Sequence, residues 1–361
     1  MTKQFQHGGT IFAVARELGI APEELIDFSA SINPLGPPPG VRDAVIAAFD
    51  RTCHYPDSGS AELRQLLAVR HGLLTDQVTV ANGSTELIHL IPRLERFGGR
   101  RALLLAPTFS EYVHGLELSG WNYDYLPLSP KDGFSLDLAA VRQSLARGYD
   151  LLYLCNPGNP TGRLYRGEEV AALLDLCAAA GTFCVLDEAF MDFCEEESAC
   201  SFLGGSDRLL ILRSMTKFFG FPGVRLGYAL GPANVIAGLE RLRPPWSVGV
   251  LAQAAGIAAL ADGEHAEKSR ELVASEREHL HVRLGEIPGL RVYPGAANYL
   301  LVEILLSGTT AAKLQQRLLA QRILIRDCGN FAGLDGSFFR VAVRCGVENE
   351  RLLRGVAGAL G

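Results

Sequence analysis

The sequence predicts an α/β fold: a mostly parallel sheet covered by helices on both faces, followed by a smaller α/β domain. Three observations carry this. Short continuous apolar runs recur with helical segments between them, as strands buried on both faces do. A long helical stretch around Glu264–Leu284 divides those runs from a second, shorter set of strands and helices. The 361 residues are 48% hydrophobic and 20% charged, with 39 glycines, which suits a globular chain with more than one core and excludes disorder and fibrous repeats.

The elements follow in chain order. Residues 1–40 read as an arm, with a short helix around Ile11–Leu18 and then Asn33-Pro34-Leu35-Gly36-Pro37-Pro38-Pro39-Gly40, which cannot continue a helix or a central strand. Residues 41–245 read as the large domain. Its strands are Val78–Ala81, Ala102–Ala106, Leu151–Cys155, Phe183–Leu186, Leu209–Leu212 and Gly227–Leu230. Residues 246–361 supply the long helix and a small domain. There the strands are Leu290–Tyr293, Tyr299–Glu303, Ile323–Arg326 and Phe338–Val343, and the helices are Thr310–Gln321 and Asn349–Leu360.

Several function classes drop out. A net charge of -6 and a pI near 5.8 argue against a nucleic-acid surface. No apolar run is long enough to span a membrane, and Met1–His7 lacks a signal-peptide core. The eight cysteines stand singly with no CxxC pair, so free thiols in a reducing cytoplasm are expected, and no metal site.

The chemistry centres on Lys217, in Ser214-Met215-Thr216-Lys217-Phe218-Phe219-Gly220. A lysine amine can condense with an aldehyde cofactor. Ser214, three residues before it, and Arg225, eight after it, can hold an anion nearby. Together they read as the attachment site of pyridoxal phosphate, an electron sink for chemistry at an amino-acid α-carbon. The cofactor's other needs find matches at strand ends, where open α/β sheets place ligands. Gly83, Ser84 and Thr85 follow a strand and open a helix, as a phosphate requires, although a plain helix cap would use the same residues. Asp187 ends an apolar strand and can keep the pyridine nitrogen protonated. Glu188 points the other way by strand alternation. Asn156 is the candidate donor to the ring oxygen, within a segment that turns in any case. Phe109, with Tyr112 as the alternative, can cover the ring face.

Asn156, Asp187 and Lys217 are 31 and 30 residues apart, each at a new strand end. In that order and spacing the whole chain resembles the fold-type I pyridoxal-phosphate enzymes of the class I/II aminotransferases. The resemblance implies a large domain with a mostly parallel seven-stranded sheet, a small C-terminal α/β domain and a homodimer. It also implies that Tyr55 meets the cofactor phosphate of the neighbouring subunit. Phe338-Phe339-Arg340 resembles the segment whose arginine holds the substrate carboxylate.

Within this family the chain resembles the threonine-phosphate decarboxylases. The shared segments are His7-Gly8-Gly9, Asp27-Phe28-Ser29-Ala30-Ser31-Ile32-Asn33-Pro34-Leu35-Gly36, Leu186–Phe190, Leu212–Phe218, Pro245–Val248, Tyr293–Leu301 and Ile323–Asp327. That resemblance implies loss of CO₂ from L-threonine O-3-phosphate, a step of cobalamin biosynthesis. It places the substrate phosphate against His7, Ser31 or Asn33, and Arg326. Ser31 stands where some relatives carry Asn. Phe190 stands where the related histidinol-phosphate aminotransferases, the alternative reading, usually carry Tyr. A small phosphorylated amino acid is thus the expected partner, and nucleic acid and membrane are not.

Overall fold

The computed structural model describes residues 8–361. Its large domain is built on one seven-stranded sheet. Across the sheet the strands run Val78–Ala81, Gly227–Leu230, Leu209–Ser214, Phe183–Asp187, Leu151–Cys155, Arg101–Ala106 and Asn122–Pro127. Gly227–Leu230 is antiparallel to both neighbours, and every other pair is parallel. Alternation along each strand feeds two apolar layers. Leu103, Leu105, Leu152, Leu154, Leu186 and Ile211 pack on one face. Leu104, Leu151, Tyr153, Val185, Leu210 and Leu212 pack on the other.

Six of these strands are the ones expected. The seventh, Asn122–Pro127, was not. It lies at the sheet edge, pairs only with Arg101–Ala106 and has no buried residue. Its polar residues face water, so it shows none of the continuous apolar character that marks the inner strands.

The smaller domain has a four-stranded antiparallel sheet in the order Arg326–Asp327, Phe338–Ala342, Tyr299–Ile304, Leu290–Val292. Its core joins Leu300, Val302, Phe339 and Val341 to helix residues Leu280, Leu314, Leu352 and Val356. The expected strand Ile323–Arg326 is two strands. Ile323–Leu324 pairs in parallel with Ile26–Asp27 of the arm, whereas Arg326–Asp327 joins the four-stranded sheet. The arm is thereby stitched to this domain, with Phe28 fully buried in its core.

From there the arm crosses the lysine segment. Asn33 N–H donates to the Lys217 carbonyl at 3.0 Å. Gly220 has φ +67°, and a Cβ there would lie 2.4 Å from the Gly36 carbonyl carbon, so only glycine lets the two backbones pass. On the far face of the sheet, fully buried Arg213 meets Glu188 at 2.9 Å and Asp192 at 3.2 Å, and also contacts Glu195. Arg213 and Glu188 neighbour Ser214 and Asp187 in sequence but point away from them, and the mutual pairing is what allows the charges to be buried. Among the described residues no helix is long and apolar enough to cross a membrane.

Candidate active site

A cavity of about 560 Å³ opens where the strands ending at Ala106, Cys155, Asp187 and Ser214 stop. Lys217, Asp187, Phe109, Ser84, Thr85, Ser214, Arg225, Ser31, Arg326 and Arg340 all line it. Residues spread over three hundred positions of sequence thus converge on one space.

Lys217 sits on the four-residue helix Met215–Phe218 that directly continues the Leu209–Ser214 strand. Burial first, then the Arg340 and Arg225 cations, lower its pKa from 10.5 to about 8, with Asp187 acting in the opposite sense. An amine so placed is neutral, and therefore nucleophilic, at far lower pH than a surface lysine.

Asp187 is 3% exposed. Its Oδ2 accepts from the Tyr112 hydroxyl at 2.6 Å and its Oδ1 from the Ala189 N–H at 3.0 Å. Burial pushes this carboxyl up, while those two donors and Lys217 favour its charged form. Burial also raises the Tyr112 hydroxyl well above the usual phenol range, so it stays a donor. Tyr112 itself is fully buried and stacked on Tyr153, centroids 4.7 Å apart and 7° from parallel. It supports Asp187 from behind, and of the two candidates Phe109 is the one that lines the cavity. Glu188 faces the other side of the sheet, against Arg213.

The anion end is built by close backbone approach. Gly83 has φ +76°, and a Cβ there would sit 2.5 Å from Arg225 Nη2. A Cβ on Gly227 would meet Ser84 N at 2.4 Å. Gly227 is in turn the register partner of Ser214. Ser84, Ser214 and Arg225 are therefore gathered together. Thr216, 2.8 Å from Ser214 through their hydroxyls, joins the lining. Sequence reasoning missed Thr216, although a hydroxyl two residues past Ser214 was the available signal.

Two expected residues are placed differently. Asn156 is fully buried, and both ends of its amide are engaged by the Tyr165 backbone, Nδ2 donating at 2.8 Å and Oδ1 accepting at 2.9 Å. It shapes the turn and does not line the cavity. Asn159, three residues on, lines it and accepts from Arg340 Nη1 at 2.5 Å. Asn33 is also buried outside the lining. Its Nδ2 donates to the Phe218 carbonyl at 2.7 Å and to Ser269 Oγ at 2.8 Å, and its Oδ1 accepts from Leu35 N–H. It anchors the arm. Ser31 does line the cavity, with a buried hydroxyl that has no partner among the described residues. His7 lies outside the described residues. Tyr55 is 79% exposed, stacked on Trp246, and not part of the lining.

Arg326 and Arg340 are register partners on adjacent antiparallel strands. Arg340 Nη2 donates to the Ser29 carbonyl at 3.0 Å, its guanidinium lies 4.9 Å from the Tyr299 ring centroid, and its buried Nε has no partner among the described residues. Arg326 donates to the Asp327 carbonyl and to Asn330 Oδ1, over the Phe331 ring. Arg344, four residues past Arg340, is taken up by Glu348 and the Asp27 carbonyl.

This donor set fits pyridoxal phosphate. A buried carboxylate lines the cavity where a ring nitrogen needs a counter-charge. An aromatic face, a lysine of lowered pKa and a hydroxyl-and-arginine cradle complete the requirement.

The Aminotransferase class I and II model matches residues 23–358. The chain belongs to this family. Its cofactor is pyridoxal phosphate, and its central sheet and smaller domain are those of the fold-type I members. Among class I and II relatives, it is 39% identical over 356 residues to threonine-phosphate decarboxylase of Salmonella typhimurium, covering 98% of this chain and 96% of that one. It is 34% identical over 360 residues to histidinol-phosphate aminotransferase of Symbiobacterium thermophilum, covering 99% and 96%. Its structure is similar to that of L-threonine-O-3-phosphate decarboxylase from Porphyromonas gingivalis, with a TM-score of 0.81 and 26% identity over 92% of this chain and 98% of that one.

Proposed function

We propose that this chain removes the carboxylate of L-threonine O-3-phosphate as CO₂, leaving (R)-1-amino-2-propanol O-2-phosphate for cobalamin biosynthesis. The observation that carries the reading is the Arg326–Arg340 pair in one cavity with the unpartnered Ser31 hydroxyl. A substrate with a phosphate at one end and a carboxylate at the other needs two separate cationic grips. The 39% identity to a threonine-phosphate decarboxylase supports the same assignment.

When bound, pyridoxal phosphate draws electrons from whichever α-carbon bond stands perpendicular to its ring. In this reading Asp187 holds the proton at the ring nitrogen, Phe109 covers one ring face, and Asn159, in place of Asn156, serves the ring oxygen. Gly83, Ser84, Thr85, Ser214, Thr216 and Arg225 hold the cofactor phosphate. Arg340 grips the substrate carboxylate, and Arg326 with Ser31 grips its phosphate. Fixing two ends of a small substrate fixes the third direction, so binding energy at the unreactive phosphate selects the bond that breaks. Lys217 Nζ, with a pKa near 8, carries the proton returned to the α-carbon.

The enzyme acts as a cytoplasmic homodimer in this reading. Exposed Ile46, Phe49 and the Tyr55–Trp246 stack supply an apolar face for the second copy. Sedimentation analysis tests this, and a monomer at micromolar concentration would contradict it.

The activity is tested by two parallel assays of the holoenzyme. One supplies L-threonine O-3-phosphate with no keto acid, the other L-histidinol phosphate with 2-oxoglutarate. Turnover in the first far above the second is expected. The reverse order would assign the transamination instead.

A further inference from the structure

His89, Glu111 and His114 come together beside the cavity although the sequence separates the first from the others and led us to expect no metal site. His89 lies near the end of the Ser84–Leu90 helix, and Glu111 and His114 share one face of the Glu111–Leu118 helix. The helices approach closely because Gly115 has no side chain: a Cβ there would lie 3.0 Å from the Ile88 carbonyl oxygen and 3.4 Å from His89 Cα. His89 Nε2 is 2.8 Å and His114 Nδ1 3.3 Å from Glu111 Oε2. One ligand atom from each residue lies within 4.8 Å of the other two.

We propose that these three side chains bind a divalent transition metal, zinc in particular. Two imidazoles and one carboxylate, with a fourth position open to water, are a ligand set that zinc accepts. Tetrahedral zinc bonds of this kind set ligand atoms about 3.3 Å apart. Both imidazole distances to Glu111 Oε2 are on that scale, and all three ligand atoms lie within 4.8 Å of one another, so rotation of the two histidine side chains brings the set into range. The site also has an entry path. The side chains of His89 and His114 are 23% and 36% exposed, and Glu111 is 10% exposed. Glu111 and His114 line the cavity wall, while His89 does not. A bound ion would tie the helix that opens with Ser84 and Thr85 to the helix that follows Phe109. It would thus clamp the two elements framing the cofactor end.

Chelator-treated holoenzyme is titrated with zinc by calorimetry and with cobalt(II) by visible absorption. The expected result is one ion per chain, with cobalt bands of a nitrogen–oxygen site. Binding should weaken at least tenfold in His89→Gln alone and disappear in His89→Gln/His114→Gln, each checked for an unchanged bound-cofactor spectrum. No binding at micromolar zinc would overturn the proposal. So would undiminished binding in His89→Gln, or a cobalt–thiolate band, which would assign the ion to exposed Cys53 or Cys345.

Discussion

Arg326 and Arg340 stand directly opposite each other in the small-domain sheet, and both guanidinium groups line the cavity that holds Lys217. Two cations side by side repel, and burial lowers the pKa of Arg326 further. The arrangement is stable against a ligand that carries two anionic groups. Hydrogen bonds to charged groups contribute about 1.5–3 kcal/mol each. Arg326→Ala should therefore raise KM for the phosphorylated substrate by roughly ten- to a hundredfold, while bound-cofactor absorbance stays intact. An unchanged KM would remove Arg326 from the substrate site.

The Tyr112 hydroxyl on Asp187 makes a second prediction. Tyr112→Phe deletes one of two donors to a buried carboxylate and leaves its oxygen short of a partner. The carboxyl pKa then rises, and its charge opposite the ring nitrogen weakens. A loss of about 1–3 kcal/mol corresponds to cofactor affinity lower by roughly 5- to 150-fold. Equilibrium dialysis of the apoenzyme measures it. Phe109→Ala should instead lower affinity without altering the acid titration of the bound cofactor.

The pH dependence of cofactor capture follows from Lys217. Its ammonium form cannot attack an aldehyde, and its pKa is near 8. The rate of attachment to apoenzyme should rise with pH and level off above that value. Neighbouring cations disfavour the ammonium, so Arg340→Met should move the midpoint upward. A midpoint near 10.5 in the unaltered protein would show that the amine is not buried as described.

Gly83→Ala tests the phosphate cradle. The residue has φ +76° and ψ 157°, a region that only glycine occupies at low cost. The added Cβ would also strike Arg225 Nη2 at 2.5 Å. Strain of about 1–3 kcal/mol should lower the melting temperature of the apoenzyme, and displacement of Arg225 should weaken cofactor binding by more than that loss of stability. Equal loss in both would make Gly83 a folding residue only.

The inner strands were legible because burial on both faces leaves a continuous apolar run. Asn122–Pro127 was not, because an edge strand can satisfy its polar residues with water. Ile323–Arg326 read as one strand because nothing local marks the change of partner at Ile325. Lys217 and Asp187 announced themselves by chemistry at a strand end. The choice between Asn156 and Asn159 could not be made from Asn156-Pro157-Gly158-Asn159-Pro160, since both sit beside turn residues. The chain's return to Tyr165 takes both ends of the Asn156 amide, and Asn159 is the one that lines the cavity. Asn33 misled for a similar reason: its partners, Phe218 and Ser269, are distant in sequence. His89 and the Glu111–His114 pair escaped notice because only the close packing at Gly115 joins them.

The most direct measurement follows the carboxyl carbon. Holoenzyme is given carboxyl-labelled L-threonine O-3-phosphate with no keto acid, alongside Lys217→Ala. Repeated turnover is expected, with one labelled CO₂ per aminopropanol phosphate, abolished in the variant. Label retained in a keto acid, with a single turnover that stops until an amino acceptor is added, would contradict it.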